Sequence, residues 1–155
     1  MRRLRAFTRV RLFDRQRRTI PAARLSRVAR EALRFGRWKG GPVDVTFVDD
    51  ETLRALHEEH LDDPRGTDVL AFDYGGGPSP IGADLIVSAD RALAESRRRG
   101  HSFLEELALY VAHGCLHLTG YKDKTSAQAR AMRRAEAGVL RRLGIPHRFR
   151  PGPPL

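Results

Sequence analysis

Hydrophobic and polar positions change period several times along this chain, and each change marks an element. Residues 1–20 alternate basic and apolar positions, with Leu4, Phe7, Val10, Leu12 and Phe13 set among arginines. Part of this stretch predicts a first strand at a sheet edge, where charge discourages unwanted pairing. Pro21 suits the first turn of a helix. Leu25, Val28, Ala29, Ala32 and Leu33 then recur at helical spacing, while Arg24, Arg27, Arg30 and Arg34 occupy the rest of that surface. Gly36 and the Gly40-Gly41-Pro42 cluster end it. Val43-Asp-Val-Thr-Phe-Val48 alternates in part and is rich in β-branched residues, which predicts a strand. Asp49 and Asp50 are placed to cap a helix over about 51–61, with Leu53, Leu56 and His60 as its buried positions. Asp62-Asp-Pro-Arg-Gly66 is a loop by its turn residues. Thr67–Tyr74 and Gly82–Val87 are two further strands, joined by the flexible Gly75–Pro80 connection.

The second half is helical. A helix over about 89–98 ends at Gly100. Ser102-Phe-Leu-Glu105 has capping-box spacing and opens a helix that is apolar nearly all round, through Phe103, Leu104, Leu107, Ala108, Val111, Ala112, Cys115 and Leu116. A helix of that kind belongs in the middle of a fold. Thr125-Ser-Ala-Gln128 offers a second capping box for the last helix, whose stripe is Met132, Ala135, Val139 and Leu143. Gly144 and Pro146 end it. The pattern predicts an α+β single domain over residues 1–146, with a small mixed sheet, helices packed on it and one central buried helix. Residues 147–155 form a Pro- and Arg-rich tail expected to be flexible.

Composition narrows the class. At 155 residues, 41% hydrophobic and 31% charged, the chain is globular and large enough for a real core. A lone cysteine excludes an internal disulfide framework and fits a reducing compartment. No apolar stretch approaches a membrane span, and no apolar signal core follows the basic N-terminus, so the expected location is cytoplasmic. The net charge of +10 favours a polyanionic partner such as nucleic acid. Nearly all the positive charge is arginine. Of the three lysines, Lys39, Lys122 and Lys124, two flank Asp123, where a compact and flexible point charge has a use that arginine does not serve.

The candidate chemistry lies in Val111-Ala-His-Gly-Cys-Leu-His-Leu-Thr-Gly-Tyr-Lys-Asp-Lys124. His113 and His117 are four residues apart near the end of the central helix, so they stand one above the other on one face. Gly120 can take the left-handed conformation that stops the helix, and Asp123 is then delivered back to the two imidazoles. Imidazole nitrogen and carboxylate oxygen are zinc ligands. Three of them with an open fourth position describe a catalytic zinc site, because structural sites are closed by four. Metalloprotease helices of the H-E-x-x-H kind carry a general base after the first histidine, a position held here by Gly114. One turn back, Glu106 and Tyr110 share the histidine face and are candidates to fix an imidazole tautomer. Cys115, about 200° round the helix from His113, reads as core packing. His57 and His60 have no third ligand and read as structural, and His101 and His147 as surface residues.

His113-Gly-Cys-Leu-His-Leu-Thr-Gly-Tyr121 resembles the signature of the YbeY family, bacterial rRNA maturation factors described as metal-dependent endoribonucleases. Thr67-Asp-Val-Leu-Ala-Phe72 is similar to that family's second signature, and the order of elements matches through about residue 144. The resemblance implies an α+β fold, one zinc ion held by three residues at the end of the central helix, and an rRNA substrate in the small ribosomal subunit. Three departures stand out. The family's usual third ligand is a histidine where this chain has Asp123, and the aspartate before it is Lys122. An arginine common in the loop before the Thr-Asp signature corresponds to Leu61, which leaves Lys122, Lys124 and Arg65 as candidates to contact phosphate.

The mechanism so implied is hydrolysis of an RNA phosphodiester, with the metal polarising a phosphate oxygen and activating water. Nearby cations, Lys122 among them, would stabilise the transition state. Asp68 is a candidate to orient groups in the cleft or simply to cap its strand. Asp123 is a general-base candidate wherever it is not a ligand. Two other readings compete. An rRNA-binding ribosome-assembly factor with a mainly structural metal predicts RNA affinity that falls steeply with salt and survives metal loss. A metal-dependent peptide hydrolase is disfavoured by Gly114 and by the positive charge.

Overall fold

In the computed structural model, which describes residues 8–60, 69–73 and 82–147, the alternating stretches pair into one sheet. Its strands β1 (Val10–Arg15), β2 (Val43–Val48), β3 (Val69–Asp73) and β4 (Ala83–Ser88) lie in the order β1-β2-β4-β3. The first three in that order run parallel, and β3 runs antiparallel to β4. Parallel β1 and β2 need a crossover, and helix α1 (Ala22–Phe35) supplies it. The edge position expected for the first strand holds. On β1, Arg11 donates from Nε and Nη2 to the Asp44 carboxylate of β2, both at 2.8 Å.

The other helices are α2 (Asp50–His60), α3 (Ala89–Arg99), α4 (Phe103–Leu118) and α5 (Ser126–Arg142). Their starts follow side-chain chemistry. Asp49 Oδ1 accepts the Thr52 N–H at 2.7 Å, and both capping boxes form, Ser102 with Glu105 and Thr125 with Gln128. Ser88 caps α3 in the same way, by accepting the Arg91 N–H.

The central helix α4 packs against α1, α3 and α5 and against strands β3 and β4. That enclosure answers its all-round apolarity: Leu107, Val111 and Leu116 are fully buried, each worth about 1.5–3 kcal/mol relative to exposure. Gly114 is the point of closest approach to the sheet. A Cβ there would lie 2.2 Å from Leu85 Cδ1 and 2.8 Å from Val69 Cγ1. The position that carries glutamate in protease helices therefore faces side chains of the sheet, and a larger residue there must displace Leu85 and Val69.

Two expectations need correction. The side chains of His101 and His147, expected at the surface, are only 7% and 8% exposed, because each docks on a buried glutamate. Leu56 is half-buried and packs beside Val48, Leu53 and Leu70. The side chains of His57 and His60, together with Leu61, Arg65, Asp68, the 75–80 connection and the tail from 148 onward, lie outside the described residues. Among the described residues, no helix is long and apolar enough to cross a membrane.

Candidate metal centre

The last turn of α4 sets the geometry. After Thr119 the chain enters Gly120 at φ 112°, a left-handed conformation natural to glycine. The Gly120 N–H donates to His117 O at 3.0 Å and the Tyr121 N–H to Leu116 O at 3.1 Å. This pair of bonds is a Schellman motif. It reverses the chain sharply enough to bring residues 121–123 over the histidines one turn behind.

Three donor atoms converge as a result. His113 Nε2 and His117 Nε2 are 2.9 Å apart, and Asp123 Oδ2 is 3.3 Å from the first and 3.4 Å from the second. Among the described residues, this is the group of histidine, cysteine, aspartate and glutamate side chains able to hold a metal ion. The spacing meets a simple test. Ligands about 2.0–2.1 Å from a tetrahedral zinc ion are separated by about 3.3–3.4 Å. Both edges to Asp123 match, and the edge between the imidazoles is somewhat shorter.

The far side of each ring explains why these atoms face one another. His113 Nδ1 is 2.8 Å from Glu136 Oε1, and His117 Nδ1 is 2.9 Å from the Tyr121 backbone carbonyl. An ionised carboxylate and a carbonyl can only accept, so both Nδ1 atoms carry the hydrogen. In the neutral rings each Nε2 is then a lone pair. Two imidazole lone pairs and a carboxylate oxygen pointing at one another repel unless a cation lies among them.

The protonation equilibria carry the same message. Burial opposes charge on His113, but bonds to Asp123 and Glu136 outweigh it and raise the imidazole to about 9. Asp123 is drawn down to about 2, chiefly by its bond with His113 and against some burial. Burial pushes the Glu136 carboxyl up, and the bonds from His113 and His147 overcome this and leave it lowered. Without a metal, a proton fills the cation position. Cys115 is fully buried and its thiol is pushed up to about 12, in keeping with core packing.

Sequence patterns placed His113, His117 and Asp123 here, and the structure brings all three together. They open into a cavity of about 410 Å³ between the end of α4 and strand β3, whose wall includes Val69, Tyr110 and Arg99. Lys122 and Lys124 are exposed on the turn. Glu106 does not reach the histidines from its place lower on α4. It is fully buried, bonds His101 and lies 3.8 Å from Arg99 Nη1. The partner of His113 is instead Glu136 on α5, with His147 Nε2 at 3.5 Å from its second oxygen. One signal could have identified it: a glutamate within the Met132, Ala135, Val139 stripe, where helical periodicity calls for an apolar side chain.

Comparison with known proteins gives a consistent picture. The family model described as endoribonuclease YbeY matches residues 12–144. The endoribonuclease YbeY of Symbiobacterium thermophilum is 38% identical over 135 residues, covering 78% of this chain and 85% of that one. That of Desulforamulus reducens is 37% identical over 111 residues, covering 66% and 72%. The solution structure of TM1509 from Thermotoga maritima superposes with a TM-score of 0.54 at 20% identity, over 86% of this chain and 90% of that one, a likeness of fold.

Proposed function

The chain belongs to the endoribonuclease YbeY family, and from that footing we propose that it is a single-zinc endoribonuclease acting on ribosomal RNA of the small subunit in the cytoplasm. One observation carries the metal assignment: His113 Nε2, His117 Nε2 and Asp123 Oδ2 converge while both Nδ1 atoms are committed to acceptors. The donor set, two imidazoles and one carboxylate with no fourth protein ligand among the described residues, suits a catalytic zinc site. A zinc ion held there supplies a Lewis acid for a phosphate oxygen and lowers the pKa of water toward neutrality.

The chain's own residues do the rest. Glu136 and the Tyr121 carbonyl hold both imidazoles in the tautomer that presents Nε2. Asp123 adds a negative charge that favours a cation at the site. Gly114 leaves no side chain at the position from which a protease base would act. Residues 1–146 form the domain that carries this activity, and Asp68 and Lys122 remain its candidate catalytic side chains. The +10 net charge retains a polyanionic substrate.

The test is metal content per chain by elemental analysis, for the parent, His117→Ala and Asp123→Ala. We expect one zinc per chain in the parent and its loss in both variants, with RNA cleavage lost alongside. Zinc retained by Asp123→Ala would move Asp123 from ligand to general-base candidate. A parent that binds no metal after reconstitution would sink the assignment.

A further inference from the structure

A phosphodiester bound near the metal centre meets two carboxylates, Asp123 and Glu136, which line the same cavity. A dication would balance those two charges, so the site as a whole would bring no net positive charge to the phosphate. Among the described residues lining the cavity, one side chain carries fixed positive charge, and it comes from another helix: Arg99, the last residue of α3. We propose that Arg99 is the phosphate-binding cation of the cleft, donating to a non-bridging oxygen of the RNA backbone beside the metal site. This rests on the endoribonuclease reading and names a residue that contacts the substrate.

The guanidinium is prepared for that role. Arg99 Nε donates to Glu95 Oε2 at 3.1 Å, and Nη1 lies 3.8 Å from the buried Glu106 carboxylate. Among the described residues these partners engage Nε and Nη1, leaving Nη2 to donate to a ligand. An arginine has five N–H donors in a fixed plane, so one hydrogen bond to Glu95 and a charge contact with Glu106 orient it without exhausting its donors. The anchors do not cancel its charge. Glu95 is shared with Arg98, whose Nη2 lies 2.6 Å away, and Glu106 is also bonded to His101. Arg99 is 33% exposed against 65% for its neighbour Arg98, so it turns toward the cleft while Arg98 faces solvent. Lower exposure strengthens its interaction with an anion.

The experiment compares zinc-loaded parent, Arg99→Gln and Arg99→Lys in the full chain. It measures zinc content, thermal unfolding, affinity for a short single-stranded oligouridylate across a salt series, and cleavage kinetics. In Arg99→Gln we expect zinc to be retained. The slope of log affinity against log salt should become shallower by about 0.7, the loss of one phosphate contact on a single strand. Its kcat/KM should fall by about 100-fold, the size of one lost transition-state donor. Arg99→Lys keeps the salt slope but loses the fork, with kcat/KM down by about tenfold. A folded, zinc-loaded Arg99→Gln with the parent's slope and kcat/KM overturns the inference. Should removal of the cation beside buried Glu106 prevent folding, Arg99→Lys decides: kcat/KM indistinguishable from the parent's overturns it. A parent that neither binds nor cleaves the oligomer defeats the endoribonuclease reading itself, whatever Arg99 does.

Discussion

Replacing Glu136 by glutamine tests how the site is built. The substitution keeps an oxygen able to accept from His113 Nδ1 but removes the negative charge 2.8 Å away. The side chain is only 7% exposed, so water screens the interaction little. A hydrogen bond to a charged group is worth about 1.5–3 kcal/mol and a neutral one about 0.5–1.5, a difference of about 1–1.5 kcal/mol. That is about tenfold in zinc affinity, the lower end of the 10–100-fold that outer partners of metal-bound histidines usually contribute. Protons complicate the measurement in a useful way. His113 titrates near 9 in the metal-free protein, so near pH 7 zinc must expel a proton, which lowers its apparent affinity by about 100-fold. Glu136 helps hold that proton, and glutamine relieves part of the competition. The difference between parent and variant should therefore be small near pH 7 and reach about tenfold near pH 9. Competition with a chromophoric chelator in buffered zinc reads both. Equal affinities near pH 9 would refute the orienting role assigned to Glu136.

Two further outcomes follow from the same contacts. In the metal-free protein His113 is raised from 6.5 to about 9, so folding binds a proton more tightly there; its contribution to stability is complete below about pH 6.5 and lost as pH rises toward 9. Asp123, lowered from 3.8 to about 2, contributes above about pH 3.8 and loses that contribution as pH falls toward 2. Urea unfolding of the metal-free chain should thus show its greatest stability from these two groups between about pH 4 and 6.5, and zinc should remove the alkaline decline; an alkaline decline that zinc leaves unchanged would contradict the shared cation position. Gly114→Ala should lower the free energy of unfolding by about 1–3 kcal/mol through overpacking against Leu85 and Val69, read as a lower urea midpoint. A variant as stable as the parent would show that α4 can lift from the sheet without cost.

Much of the site is local, and local features can be read in a chain. The four-residue spacing of His113 and His117, the left-handed turn at Gly120 and the return of Asp123 all fall within eleven residues of one helix end. Backbone geometry alone brings those atoms together. The capping boxes at Ser102 and Thr125 and the burial of α4 were legible for the same reason: each depends on side chains three or four residues apart or on the period of the helix.

Groups brought in from a distance were not legible. Glu136 lies 23 residues from His113, and its carboxylate has meaning only once α5 crosses α4. Arg99 reads as one more cation in a basic run until α3 packs beside α4 and turns it into the cleft. His101 and His147 looked like surface residues because nothing near them in sequence reveals the buried glutamates they meet. Gly114 looked like a missing catalytic base, and the sheet shows it to be a packing requirement. Short-range spacing determined the metal-facing atoms, because a helix and its cap fix the positions of neighbours. Their orientation, charge balance and cleft were decided by tertiary structure, because helix crossing angles and sheet order depend on the packing of the whole core.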